Sequence, residues 1–155
     1  MHEIKAECQT VSELQRLMEI MAHLRSPEGC PWDQEQTHET LTRCLVEEVS
    51  ETLEAIDEND MELLEEELGD LLLQVVFHAQ IAKENSNFDM EDIARGISDK
   101  LVRRHPHVFG DEKGTIDQAD QVVDRWEQVK AAEKKQKGKS GDNSSIFKKP
   151  PPRLS

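Results

Sequence analysis

Glu67-Leu68-Gly69-Asp70-Leu71-Leu72-Leu73-Gln74-Val75-Val76-Phe77-His78-Ala79 changes character within one helix-length stretch. Before Gly69 the chain is mostly acidic, and from Leu71 to Ala79 it is apolar almost all round. A helix that is apolar on every side is buried on most sides, so this segment is expected at the centre of the fold or of an interface. Asn59 and Asp60 are turn and capping residues and open a helix over residues 61–83. On the N-terminal side, Leu41, Cys44, Leu45, Val49, Leu53 and Ile56 recur at helical spacing and predict an amphipathic helix over residues 37–59. Before that, Ser26-Pro27-Glu28-Gly29-Cys30-Pro31-Trp32-Asp33 breaks the pattern. An earlier helix carries Val11, Leu14, Leu17, Met18, Met21 and Leu24, with Thr10 and Glu13 spaced as a capping box. On the C-terminal side, Asp89 with Asp92 caps a fourth helix bearing Met90, Ile93, Ile97 and Leu101, which stops before Pro106. A fifth, over residues 117–135, places Ala119, Val122, Val123, Trp126 and Val129 on one face. The fold class is therefore all-α, a bundle of about five helices over residues 1–137. Residues 138–155, rich in Lys, Gly, Ser and Pro, read as a disordered or linker-like tail.

Composition agrees with that class and narrows the function. The 155 residues amount to about one domain. Aromatic residues make up 4% and there is no Tyr, while 34% of the residues are charged, which suits helices with a solvated outer face. A net charge of -14 repels a nucleic-acid backbone, so a polynucleotide partner is not expected, whereas a small phosphorylated ligand carried with a divalent metal is. Cys8, Cys30 and Cys44 are odd in number and contain no CxxC pair, which indicates neither a disulfide framework nor a zinc site. No apolar run reaches the roughly 20 residues of a membrane span, and Glu3, Lys5 and Glu7 occupy the place of an export signal's apolar core. A cytoplasmic setting is expected.

The acidic residues are not uniformly a solvated face. At 100° per residue Glu48 and Glu51 share one side of the second helix, and Glu67 and Asp70 share one side of the third. If these helices pair antiparallel across their short connection, the two rows face each other, with Asp70 leading straight into the apolar run. Like charges gathered at low dielectric repel unless neutralised. An oxygen-only ligand set suits Mg²⁺ or Mn²⁺. Glu54, Asp57, Glu58, Glu62, Glu65 and Glu66 read as ordinary solvated acids.

The pattern EExxE followed by ExxD, realised as Glu47, Glu48, Glu51 and Glu67, Asp70, resembles the MazG family of nucleoside triphosphate pyrophosphohydrolases, in the all-α NTP pyrophosphatase superfamily. Cys30-Pro31-Trp32-Asp33, the stretch from Glu67 to Gln80, Ser98-Asp99-Lys100-Leu101 with Arg103-Arg104-His105-Pro106-His107-Val108-Phe109, and Arg125-Trp126-Glu127-Gln128-Val129-Lys130 follow in the family's order. The resemblance covers residues 12–135. It implies a bundle that dimerises through its central helices and cleaves NTPs or dNTPs to the monophosphate and pyrophosphate with Mg²⁺. By the same resemblance Glu48, Glu51, Glu67 and Asp70 would be metal ligands, and Glu47 would stand beside them as an outer ligand or a base orienting water. Lys100, Arg103 and Arg104 would hold phosphates, and Trp126 and Lys130 would contact the nucleotide. Water attack at the α-phosphorus needs charge neutralisation and an activated nucleophile, which bridging metal ions supply.

Other features carry less. Lys100, Arg103 and Arg104 also suit a basic helix C-terminus, and Trp126 read alone is a core anchor before it is a stacking platform. Trp32 is either a packing plug or part of the substrate mouth. His105 and His107 flank Pro106 and read as structural or solvated histidines. Glu35 and His38 form an ExxH without the second copy that a di-iron bundle needs. Many proteins of the family carry two copies of the domain; this chain resembles the first, with residues 150–155 like the start of a connector. The alternative to an enzyme is a non-catalytic dimerisation or nucleotide-sensing module with the same fold.

Overall fold

The computed structural model describes residues 12–138. Among these residues there are seven helices and no strand: α1 (Glu13–Leu24), α2 (Pro31–Glu35), α3 (Thr42–Asp57), α4 (Met61–Glu84), α5 (Met90–Arg104), α6 (Pro106–Phe109) and α7 (Ala119–Gln136). The five long helices are those expected from periodicity. The two short ones each begin at a proline, whose missing N–H costs nothing at the first helical position, so both prolines start a turn as well as ending the preceding pattern. α1 is capped by Ser12, whose side chain accepts from the Gln15 backbone N–H; Thr10 lies outside the described residues, as does the expected tail apart from Gly138.

Two compact units are distinguished, Met1–Gly96 and Ile97–Ser155. In the first, α4 packs against α3 and α1. Its core is Met21, Leu41, Val76, Phe77 and Ile81, with Leu17, Met18, Leu24, Leu73 and Met90 against it. Burial of apolar side chains of this size stabilises by roughly 1.5–3 kcal/mol each. The α3–α4 connection is short because Asn59 adopts a left-handed φ of 54°, tolerated by asparagine. Asp60 then accepts from the Glu62 and Leu63 backbone N–H groups, as an N-cap does.

The segment between α1 and α3 is fastened to α4. Gly29 is required there, because a Cβ would come 2.2 Å from the Leu24 carbonyl oxygen. Arg25 donates to the carbonyls of Asp33 and Gln36, pairs with Glu84 at 2.8 Å, and places its guanidinium 5.7 Å from the Phe77 ring centre. Trp32 meets Phe77 edge-on at 6.5 Å, yet stays 57% exposed. His38 and His78 approach through their Nδ1 atoms at 2.7 Å with nearly parallel rings. Burial lowers the His78 pKa, and the neighbouring His38 adds to the effect. With residues 37–41 committed to these turns, α3 starts at Thr42 instead of the expected Thr37.

α4 is buried on one side and open on another. Val76, Phe77, Ala79, Ile81 and Ala82 are buried, but Leu68, Leu72 and Val75 are exposed, as are Val46, Val49, Leu53 and Ile56 on the packed helix α3. The spacings 46, 49, 53, 56 and 68, 72, 75 are each one stripe of a helix. Two adjoining helices thus present apolar residues outward.

Candidate metal centre

The pairing of α3 with α4 brings together carboxylates that are far apart in sequence. Glu48, Glu67 and Asp70 each offer an oxygen, and the three oxygens lie within 4.8 Å of one another. Glu67 is only 9% exposed. Glu48 Oε2 and Glu67 Oε2 are buried without a hydrogen-bond partner. Burial first, and then the charges of Asp70, Glu51 and Glu67, raise the pKa of Glu48; burial, then Glu51, Asp70 and Glu66, raise that of Glu67. Glu51 is exposed and stands outside the tightest group, and its charge adds to the rise at both. Three hard oxygens with two buried acceptors lacking donors are what a divalent cation would satisfy. The residues fit such an ion.

Glu47 is placed differently. One residue from Glu48, it turns about 100° around the helix, is exposed, and accepts from Arg43 Nε at 2.8 Å. It is not in the convergent group.

The remaining expected site residues lie in the second unit. Lys100 is exposed. Arg103 Nε and Arg104 Nη2 reach the two oxygens of Glu133 at 2.7 and 3.0 Å. Trp126, Lys130 and Glu133 follow at i, i+4 and i+7 on one face of α7. Trp126 is half-buried, with His105 edge-on at 5.2 Å and Lys130 Nζ 5.9 Å from its ring centre. Arg104 Nε, His107 Nδ1 and Trp126 Nε1 are buried nitrogens without partners. Glu133 escaped the sequence reading. Its only signal was the helical spacing to Trp126 and Lys130.

Glu133 gives a test of this cluster. Hydrogen bonds from Arg104 and then Arg103 hold its carboxyl at about 2, down from 4.5. A carboxylate whose folded pKa is depressed contributes stability above its unfolded value and loses it as the pH falls through the folded one. Glu133→Gln is expected to lower the thermal unfolding midpoint at pH 7, with the gap from the parent closing between pH 4.5 and about 2. An equal gap at pH 7 and at pH 2.5 would show that the ion pairs do not stabilise the fold.

An all-α unit in which carboxylates from two adjoining helices converge defines a class of acidic helical proteins with a candidate cation site. Residues 36–109 match the family described as the MazG nucleotide pyrophosphohydrolase domain. The chain is 53% identical over 126 residues to the nucleoside triphosphate pyrophosphohydrolase/pyrophosphatase MazG of Thermotoga maritima, covering 81% of this chain and 47% of that protein. It is 51% identical over 128 residues to the nucleoside triphosphate pyrophosphohydrolase of Escherichia coli K12, covering 82% and 48%. The crystal structure of a MazG-related protein from Thermotoga maritima superposes with a TM-score of 0.62 at 32% identity, over 76% of this chain and 98% of that one. The chain belongs to the MazG family. It spans about half the length of the curated relatives named here.

Proposed function

We propose that the chain hydrolyses nucleoside triphosphates, NTPs or dNTPs, to the monophosphate and pyrophosphate in a Mg²⁺-dependent reaction in which water attacks the α-phosphorus. The observation that carries this reading is the convergence of Glu48, Glu67 and Asp70 within 4.8 Å. The names of the relatives from Thermotoga maritima and Escherichia coli supply the substrate class. Glu48, Glu51, Glu67 and Asp70 hold the cation, Mg²⁺ or in its place Mn²⁺. The ion supplies Lewis-acid polarisation and a lowered pKa of water. Glu47, exposed on the next face of α3, orients water from outside that group.

The unpartnered buried atoms of each unit, taken by itself, fit this reading. Those of Glu48 and Glu67 are acceptors that want a cation, and those of Arg104 and Trp126 are donors that want an anion. Lys100, Arg103 and Arg104 hold the phosphates through charge-assisted hydrogen bonds. Lys130 and Trp126 contact the nucleotide. The outward apolar stripes of α3 and α4 pair two copies of the chain into a homodimer. No helix of the described residues is long and apolar enough to cross a membrane, and we place the protein in the cytoplasm.

Pyrophosphate release from a panel of NTPs and dNTPs tests the reading. Release is expected with Mg²⁺, falling to background in EDTA and returning when Mg²⁺ or Mn²⁺ is restored. No release from any member of the panel would leave the non-catalytic nucleotide-sensing module as the better description.

A further inference from the structure

Gln74 stands out within α4. It is 6% exposed in the run from Leu71 to Ala79, and its Oε1 has no hydrogen-bond partner. His78, one turn on, does not take up that oxygen: its Nδ1 faces His38, and its Nε2 is itself without a partner. A buried amide left unsatisfied costs stability that a leucine or methionine of similar volume would not. The position explains the cost. Glu67, Asp70 and Gln74 are spaced i, i+3 and i+7, so the amide lies on the same face of α4 as the two carboxylates and one turn beyond Asp70. Glu48 Oε2, Glu67 Oε2 and Gln74 Oε1 are then three buried oxygens on two packed helices, all acceptors and none with a donor. An amide oxygen is as hard a donor as a carboxylate and adds no charge to a group that already repels itself.

We propose that Gln74 is a further oxygen of the divalent-cation site, a positioning residue that faces the ion from the buried side, beyond the carboxylates of the family motif. The proposal rests on reading the carboxylate group as a cation site, but it is tested without turnover. Mn²⁺ affinity by calorimetry and the unfolding midpoint of the metal-free chain are measured for the parent, Gln74→Met and Gln74→Glu. For Gln74→Met the metal-free midpoint is expected to hold or rise while Mn²⁺ binding weakens about tenfold, the scale seen when a group supporting metal ligands is lost. Gln74→Glu restores an oxygen and adds a charge, so its metal-free midpoint falls and its Mn²⁺ binding equals or exceeds that of the parent. Parent-like Mn²⁺ affinity in Gln74→Met overturns the proposal. So does Gln74→Glu binding no tighter than Gln74→Met, the comparison that decides if the methionine variant fails to fold. A parent chain that takes no Mn²⁺ overturns the cation site itself, an outcome seen before any variant is compared.

Discussion

Glu67→Gln and Asp70→Ala are each expected to lower kcat/KM for pyrophosphate release by about 10³-fold, with Mn²⁺ binding weakened in parallel. The scale follows from removing one preorganised electrostatic group from a site where charge develops in the transition state. Glu67 is the sharper test, because its carboxylate is 9% exposed and one oxygen has no partner. An amide at this position fills the same space and removes only the charge. The same substitution acts oppositely on the metal-free fold. The raised pKa values of Glu48 and Glu67 mean that the folded state binds protons more readily than the unfolded chain. Their contribution is therefore most favourable below the ordinary carboxylate range and is lost as pH rises through the raised values. Metal-free parent protein should unfold at a lower temperature at pH 8 than at pH 4.5, a difference that Glu67→Gln reduces and saturating Mg²⁺ cancels. A Glu67→Gln variant that keeps parent-like turnover, or that loses stability without metal, would remove Glu67 from the cation site.

Local rules made much of this legible in the sequence. Asp60 caps α4 as its position suggested, and Asp89 and Asp92 exchange backbone hydrogen bonds at 3.1 and 3.0 Å, the reciprocal pattern of a capping box. The i, i+3 spacing of Glu67 and Asp70, and a three-residue connection to α3, were enough to bring those two to Glu48. What stayed hidden depends on contacts between distant residues. Thr37 and Thr40 satisfy each other's backbone N–H groups through their hydroxyls, and His38 turns to His78 forty residues away, so residues 37–41 leave the helix that their periodicity favoured. Glu133 joins arginines 29 and 30 residues earlier, and nothing in its own neighbourhood separates it from other solvated acids. The apolar run of α4 was legible as central, but not which side faces the monomer's core. Met21 and Leu41 settle that by covering Phe77 and Ile81, which leaves Leu72 and Val75 outward.

Ile56→Glu and Leu72→Glu are expected to convert the chain from a dimer to a monomer. Ile56 is 52% exposed and Leu72 38% exposed, so neither change opens a core cavity, and circular dichroism should report unchanged helix content. Stable protein–protein interfaces bury about 800 Å² or more per partner, and among the described residues of the first unit the stripes of α3 and α4 form an apolar surface on two adjoining helices. In a two-fold dimer each substitution appears twice, so one glutamate per chain places two unpaired charges in the contact, and burying them costs several kcal/mol. By light scattering the parent should show twice the chain mass of 17.7 kDa and each variant a single copy. Activity should fall with the mass, because an unpartnered apolar face loosens the two helices that carry the carboxylates on their other side. A parent chain of single mass at tens of micromolar would assign the stripes to a contact with some other surface, and a dimer that survives both glutamates would move the interface away from α3 and α4.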